Sequence, residues 1–110
     1  MIVRYALFEG KIKDGMTEAF RKEIMEDLYP IWLEFPGALE VYCSFVDERD
    51  PGAIEIPLIQ SVKYPDRQTL DAALESDVRA RAKALTGEIC AKYFEGTIHH
   101  HITEPTVWTK

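Results

Sequence analysis

The sequence predicts an α+β fold in the order strand, helix, strand, strand, helix, strand. Three observations point there. Four stretches alternate apolar and polar residues with period two, two longer ones carry apolar residues at helical spacing, and Pro or Gly stops separate most of them. Ile56–Tyr64, midway between the two helical stretches, is rich in β-branched residues. Pro51-Gly52 precedes it and Pro65-Asp66 closes it, so it reads as a central strand.

Ile2–Phe8 is the first expected strand. Val3, Tyr5 and Leu7 point one way; Ile2, Arg4, Ala6 and Phe8 point the other. Arg4 is the exception in this apolar run and belongs at a frayed end or inside a polar cavity. Glu9–Gly15 contains two glycines and reads as a turn. A helix should start near Thr17, a good N-cap residue, with Glu18 in its first turn to suit the dipole. Phe20, Ile24 and Leu28 recur at i, i+4 and i+8 as one buried stripe. Pro30 has no N–H to give, so the helix should kink or end near Tyr29. Ile31, Trp32 and Phe35 continue as a short helical or irregular apolar segment, stopped by Pro36-Gly37.

Ala38–Val46 alternates cleanly, with Leu39, Val41, Cys43 and Phe45 on one face and Glu40, Tyr42, Ser44 and Val46 on the other. The polar loop Asp47–Ala53 lets the chain reverse into Ile56–Tyr64 as an antiparallel hairpin. Asp66 caps a second helix with Leu70, Ala73 and Leu74 inward. Ser76-Asp77 breaks that helix and caps a further piece from Val78 to about Phe94. Its expected buried positions are Ala82, Leu85, Ile89 and Phe94, and Gly87 is its weak point. Thr97–Thr103 is the last strand, Ile98, His100 and Ile102 opposing Thr97, His99, His101 and Thr103. In the tail, about residues 104–110, Trp108 should dock on something, since a free Trp buries nothing.

This order is the ferredoxin-like split βαβ, βαββαβ. Right-handed crossovers place the first and third strands in the centre of a four-stranded antiparallel sheet with both helices on one face. The other face is then bare, and a monomer rarely leaves such a patch open. Two copies packed sheet to sheet about a two-fold axis would cover it, giving a homodimer closed as an α+β barrel.

A chain of 110 residues, 46% hydrophobic and 11% aromatic, suits a single domain over 1–110 with an ordinary core. Its formal net charge of −6 argues against nucleic acid and anionic membranes as partners. Arg79, Arg81 and Lys83 read as a solvated helix flank. No stretch reaches the roughly 18 apolar residues of a membrane span, and no secretory pattern precedes Cys43 and Cys90. The expected setting is cytoplasmic, with both thiols reduced.

Several strings, in order, resemble the dimeric α+β barrel superfamily, in particular its EthD-like branch with the methylmuconolactone isomerases. They are Phe20-Arg21-Lys22-Glu23, Phe35-Pro36-Gly37, Glu75-Ser76-Asp77-Val78-Arg79, and Tyr93-Phe94-Glu95-Gly96 leading to Ile102-Thr103-Glu104. The resemblance implies homodimers that act on small, often aromatic or lactone-like molecules without metal or cofactor. Such proteins often carry a histidine late in the first helix; here the nearest equivalent is Asp27.

The candidate site residues are Tyr42, Gln60, Lys63, His99 and His101, with Asp27 from the resemblance. Polar residues in apolar strands can supply donors and an acid–base pair if they converge in one cavity, and histidine titrates near neutrality. The alternation separates Gln60 from Lys63, so only one of them can face the helices. His99-His100-His101 offers at most two imidazoles on one face, too few for a metal site, and no metal or cofactor is expected. His100, between Ile98 and Ile102, reads as a core or interface residue. Cys43, between Val41 and Phe45, reads as an inert buried thiol. The function expected is cofactor-independent isomerase or oxygenase-like chemistry on a hydrophobic or aromatic metabolite. The alternative is a non-catalytic binding or assembly module of the same fold.

Overall fold

The computed structural model describes all residues 1–110. Four strands form one antiparallel sheet: β1 (Ile2–Ile12), β2 (Glu40–Phe45), β3 (Leu58–Tyr64) and β4 (Phe94–Thr103), in the order β2-β3-β1-β4. The expected topology is observed, with β1 and β3 central. The helices are α1 (Thr17–Glu23), α2 (Tyr29–Trp32), α3 (Arg67–Leu74) and α4 (Asp77–Tyr93).

Register places Val41, Val62, Arg4 and Ile102 in one row across the helix-covered face, then Cys43, Gln60, Ala6 and His100, then Phe45, Leu58, Phe8 and Ile98. Helical Phe20, Ile24, Leu28, Leu70, Ala73 and Ile89 pack over this face and are buried with it. Phe20, Ile24 and Leu28 are the stripe that the sequence predicts. On the open face the rows are Glu40–Lys63–Val3–Thr103, Tyr42–Ser61–Tyr5–His101 and Ser44–Ile59–Leu7–His99.

Local expectations are revised in four places. β1 does not turn at Glu9 but runs to Ile12, because Glu9–Ile12 pair with Phe94–Thr97 and Gly10 lies opposite Gly96. β4 accordingly starts at Phe94, directly after α4. Thr17 is the first helical residue; Met16 occupies the cap position with no side-chain hydrogen bond. Pro30 neither ends nor breaks the helix. A π-helical turn over Ile24–Leu28 precedes it, and the Tyr29 N–H reaches back to the Ile24 carbonyl. Widening the helix here leaves Pro30 in the first turn of α2, where a missing donor costs little. The helix therefore continues as far as Trp32, which is buried.

The second crossover follows its cap signals. Asp66 accepts from the Thr69 N–H at 2.8 Å and opens α3. Ser76 accepts from the Arg79 N–H at 3.4 Å and opens α4, which runs unbroken through Gly87. No helix is long and apolar enough to cross a membrane.

Candidate functional site

A cavity of about 330 Å³ lies between the sheet and α4. Its floor is the middle of the helix-covered sheet face. Ala6, the smallest residue there, sits between Gln60 on one side and His100 on the other. Two strand spacings put those two positions about 10 Å apart, with no side chain larger than a methyl between them. Arg4, Tyr64 and Phe8 extend the floor along the central strands. One wall is α4, whose cavity-facing positions are Arg79, Ala82, Lys83, Thr86, Gly87 and Cys90. Their spacing follows one helical face, and the small residues at 82, 86 and 87 leave the space open. Trp32 and Phe35 close one end with flat aromatic surface. Tyr29, in the same apolar segment, is not in the wall; it packs edge-on to Trp32 with ring centroids 6.3 Å apart.

The polar groups here differ from those elsewhere on the chain. Gln60 is only 6% exposed, and it lines the cavity. Burial raises the pKa of the Tyr64 phenol, while Arg4 and Arg79 pull it the other way. Burial, and then the charge of Arg79, hold the Arg4 guanidinium below its ordinary pKa, though an arginine remains a cation throughout the working range. His100 stands at the cavity edge at an exposed position of β4, its ring only partly desolvated. Burial, followed by repulsion from Arg4, Arg79 and His99, pushes its pKa down to about 4, so its imidazole is neutral at physiological pH. Burial raises the Cys90 thiol and pushes Cys43 up to about 11, so neither is a ready nucleophile.

The sequence-derived candidates are divided between places. Gln60 reaches the cavity. Tyr42, Lys63, His99 and His101 project from the open face, on the other side of the sheet. There the Tyr42 hydroxyl donates to Glu40 Oε2 at 2.7 Å, and Lys63 Nζ lies 3.8 Å from Glu40 Oε1, directly across the β2–β3 pair. His99 Nε2 pairs with Glu9 Oε2 at 2.9 Å. Asp27 is exposed on the π-helical turn, away from the cavity. The six therefore do not converge. Strict period-two alternation is the reason: Gln60 and Lys63 have opposite parity on β3, and both flanking histidines oppose His100 on β4.

Arg4, Arg79 and His100 also line the cavity, although the sequence puts Arg79 on a solvated helix flank and His100 in the core or an interface. Arg4 takes the cavity option left open for it. His100 lines the cavity edge, and not a closed core. The basic flank of α4 splits: Arg81 forks onto Glu34 at 3.1 and 3.3 Å, whereas Arg79 lines the cavity and Lys83 stands exposed at its rim. A signal was present in the small residues Ala82, Thr86 and Gly87, which share the face of Arg79 and Lys83 and mark space beside that face. No cluster of three or more His, Cys, Asp or Glu side chains forms anywhere in the structure.

The neutral His100 has a consequence for stability. Its folded pKa of about 4 lies below the ordinary value of 6.5. Between those values the unfolded chain takes up a proton that the folded chain refuses. Stability should be fully present above about pH 6.5 and decline as pH falls toward 4. Urea titrations of wild type and His100→Asn at a series of pH values check this: the decline should be shallower in the variant.

The fold and cavity define a class: a ferredoxin-like α+β sheet with a ligand-sized space under its second crossover helix. The sequence matches no family model and no curated protein. Solved structures match over nearly the whole chain. An EthD family protein from Bacillus halodurans is similar with TM-score 0.72 and 20% identity, over 96% of this chain and 100% of that one. A protein described as an antibiotic biosynthesis monooxygenase gives TM-score 0.63 and 20% identity, over 97% and 100%. A ferredoxin-like protein from Bacteroides fragilis, described as dimeric and of unknown function, gives 0.60 and 11%, over 94% and 95%. What is shared at these identities is the ferredoxin-like α+β fold.

Proposed function

We propose that this protein is a small-molecule enzyme that moves a proton without a cofactor, as an isomerase does, and that it works as a homodimer. One observation supports the catalytic reading: a neutral imidazole, an amide and a phenol face a single cavity that also contains cations and flat aromatic walls. A hydrophobic or aromatic substrate would lie over Ala6 against Phe8, Trp32 and Phe35. His100 takes a proton from carbon beside a carbonyl and returns it elsewhere on the same molecule. Gln60 and Tyr64 donate to the carbonyl oxygen as charge develops on it. Arg4 and Arg79 stabilise that charge. The same two cations depress the basicity of His100 in the empty site, so negative charge developing beside them strengthens the base as the reaction proceeds.

The open sheet face supports the dimer. Tyr5, Leu7, Ile59 and Tyr42 make an apolar and aromatic patch there, and Trp108, 85% exposed in the tail, has nothing to pack on in a single copy. In this reading Tyr42, Lys63, His99 and His101 belong to the interface, and Asp27 has no part in the chemistry. Light scattering at micromolar concentration should give twice the chain mass; a clean monomer removes the dimer.

For the chemistry, a thermal-shift screen against aromatic acids, lactones and quinones identifies stabilising compounds. Each is then followed by proton NMR in D₂O. The expected result is protein-dependent exchange of a carbon-bound proton, lost in His100→Ala. Exchange that survives that substitution, or no exchange with any stabilising compound, rules out His100 catalysis.

A further inference from the structure

Six arginines are present in this chain, and four of them hold a carboxylate. Arg21 lies 3.0 Å from Asp47, Arg49 3.8 Å from Glu55, Arg67 3.0 Å from Asp71 and Arg81 3.1 Å from Glu34. The remaining two, Arg4 and Arg79, have no carboxylate within ion-pair distance, and both line the cavity. Lys83 joins them, also without a carboxylate. No Asp or Glu is found in the cavity lining, although the chain has 19 acidic residues against 13 basic ones. An acidic protein has thus left its unpaired arginines around a single space whose lining is mostly apolar and carries no carboxylate.

Such a placement is costly when the space is empty. Arg4 is half-buried on a central strand, and Arg79 is close enough to act on it and on His100 by repulsion. Gathered cations of this kind, facing inward with donors free, await a counter-charge. A guanidinium presents two parallel N–H groups, which match the two oxygens of a carboxylate. The rest of the lining decides what carries that carboxylate. Phe8, Trp32 and Phe35 present flat aromatic surface, and Ala6 leaves the floor between them low. A cavity of about 330 Å³ is near the lower end of ligand sites, roughly 300–1,000 Å³.

We propose that the cavity takes an aromatic or conjugated cyclic carboxylate of one or two rings, its carboxylate held between Arg4 and Arg79 with Lys83 at the rim, and its ring against Phe8, Trp32 and Phe35. That occupant presupposes that the cavity is the small-molecule site; the negative charge and its two arginine partners are the added claim. Arg4 and Arg79 come from different elements, the central strand and the first turn of α4, so a bound carboxylate would also tie the helix to the sheet.

Isothermal titration calorimetry with two shape-matched probes, 2-naphthoate and 2-naphthamide, tests this. Wild type should bind the carboxylate at least tenfold more tightly than the amide, and the preference should shrink as salt rises. Arg79→Gln, on a partly exposed helix face, should weaken 2-naphthoate at least tenfold while leaving 2-naphthamide unchanged. Arg4→Gln should do the same, and its circular dichroism reports whether the strand is intact. Equal affinity for the two probes in wild type, or undiminished 2-naphthoate binding in Arg79→Gln, overturns the carboxylate claim and leaves the cavity as a neutral-ligand site. Binding of neither probe overturns the carboxylate claim and the cavity reading together.

Discussion

Gly96→Ala should cost this protein about 3 kcal/mol or more of stability, the upper range for forcing atoms into a filled space. The melting temperature should fall by about 10 °C or more. Gly96 lies opposite Gly10 where β1 and β4 cross, and the backbones there approach too closely for a side chain. A Cβ on Gly96 would overlap the Glu9 carbonyl oxygen, and one on Gly10 would overlap the Glu95 carbonyl oxygen. Both obstacles are backbone, so neither can swing aside as a flexible side chain could. Gly10 also has φ of +151°, which disfavours an L side chain independently of space. Gly87→Ala is the control. Nothing lies within 4 Å of a Cβ at Gly87, so alanine there should stabilise α4 by up to about 1 kcal/mol. Thermal and urea unfolding of the two variants should therefore move in opposite directions. Equal, small changes in both would mean that the crossing can relax.

The glycine pair also bears on the site. It anchors the end of the β1–β4 ladder, and the ladder sets His100 opposite Ala6. A slip of one residue would turn His100 to the open face and bring His99 or His101 inward. The identity of the histidine in the cavity is thus decided by register, far from the cavity itself.

The sequence was legible wherever a residue acts through its own backbone neighbourhood. Period two on β2, β3 and β4 assigned faces, and Asp66 and Ser76 marked helix starts by local hydrogen bonds. The order of elements then sufficed for the topology. What escaped depends on partners remote in sequence. β1 extends past Phe8 because Phe94–Thr97 is available to pair with it, which Glu9-Gly10 alone does not reveal. Pro30 announces a disturbance, but the π-helical turn that absorbs it is a property of the packed helix. The candidate site divided for a similar reason. Polar residues in strands announce that something is unusual, yet each reaches a cavity or the open face by parity alone. Which parity faces the helices follows from the buried partners: Leu58, Val62 and Tyr64 beside Gln60, but Ser61 and Ile59 beside Lys63. Arg79 read as solvated because a charge on a helix usually is; only the missing carboxylates in three dimensions distinguish it from Arg81.

Ala6→Leu should abolish binding in the cavity while leaving the fold intact. Ala6 is the floor of the space, on a central strand, between Gln60 and His100. Leucine is as compatible with a strand as alanine, and its side chain would project into the volume that the ligand needs. Burying it in an existing space removes apolar surface from water at a favourable rate of about 25 cal/mol per Å², so the variant should melt at or slightly above the wild-type temperature. Its affinity for 2-naphthoate should fall at least a hundredfold, since the ring and the leucine compete for the same position. Ala6→Gly tests the opposite sense. It should retain binding and lose about 0.5–1 kcal/mol of stability through the added freedom of the unfolded strand. Calorimetric titration and thermal melts on the pair separate the two effects. A leucine variant that binds as wild type does would place the ligand outside the cavity, and would take the roles proposed for Gln60, His100, Arg4 and Arg79 with it. Loss of binding with an unchanged melt would fix the ligand over Ala6, at the single row of the sheet where the amide and the imidazole flank the same open floor.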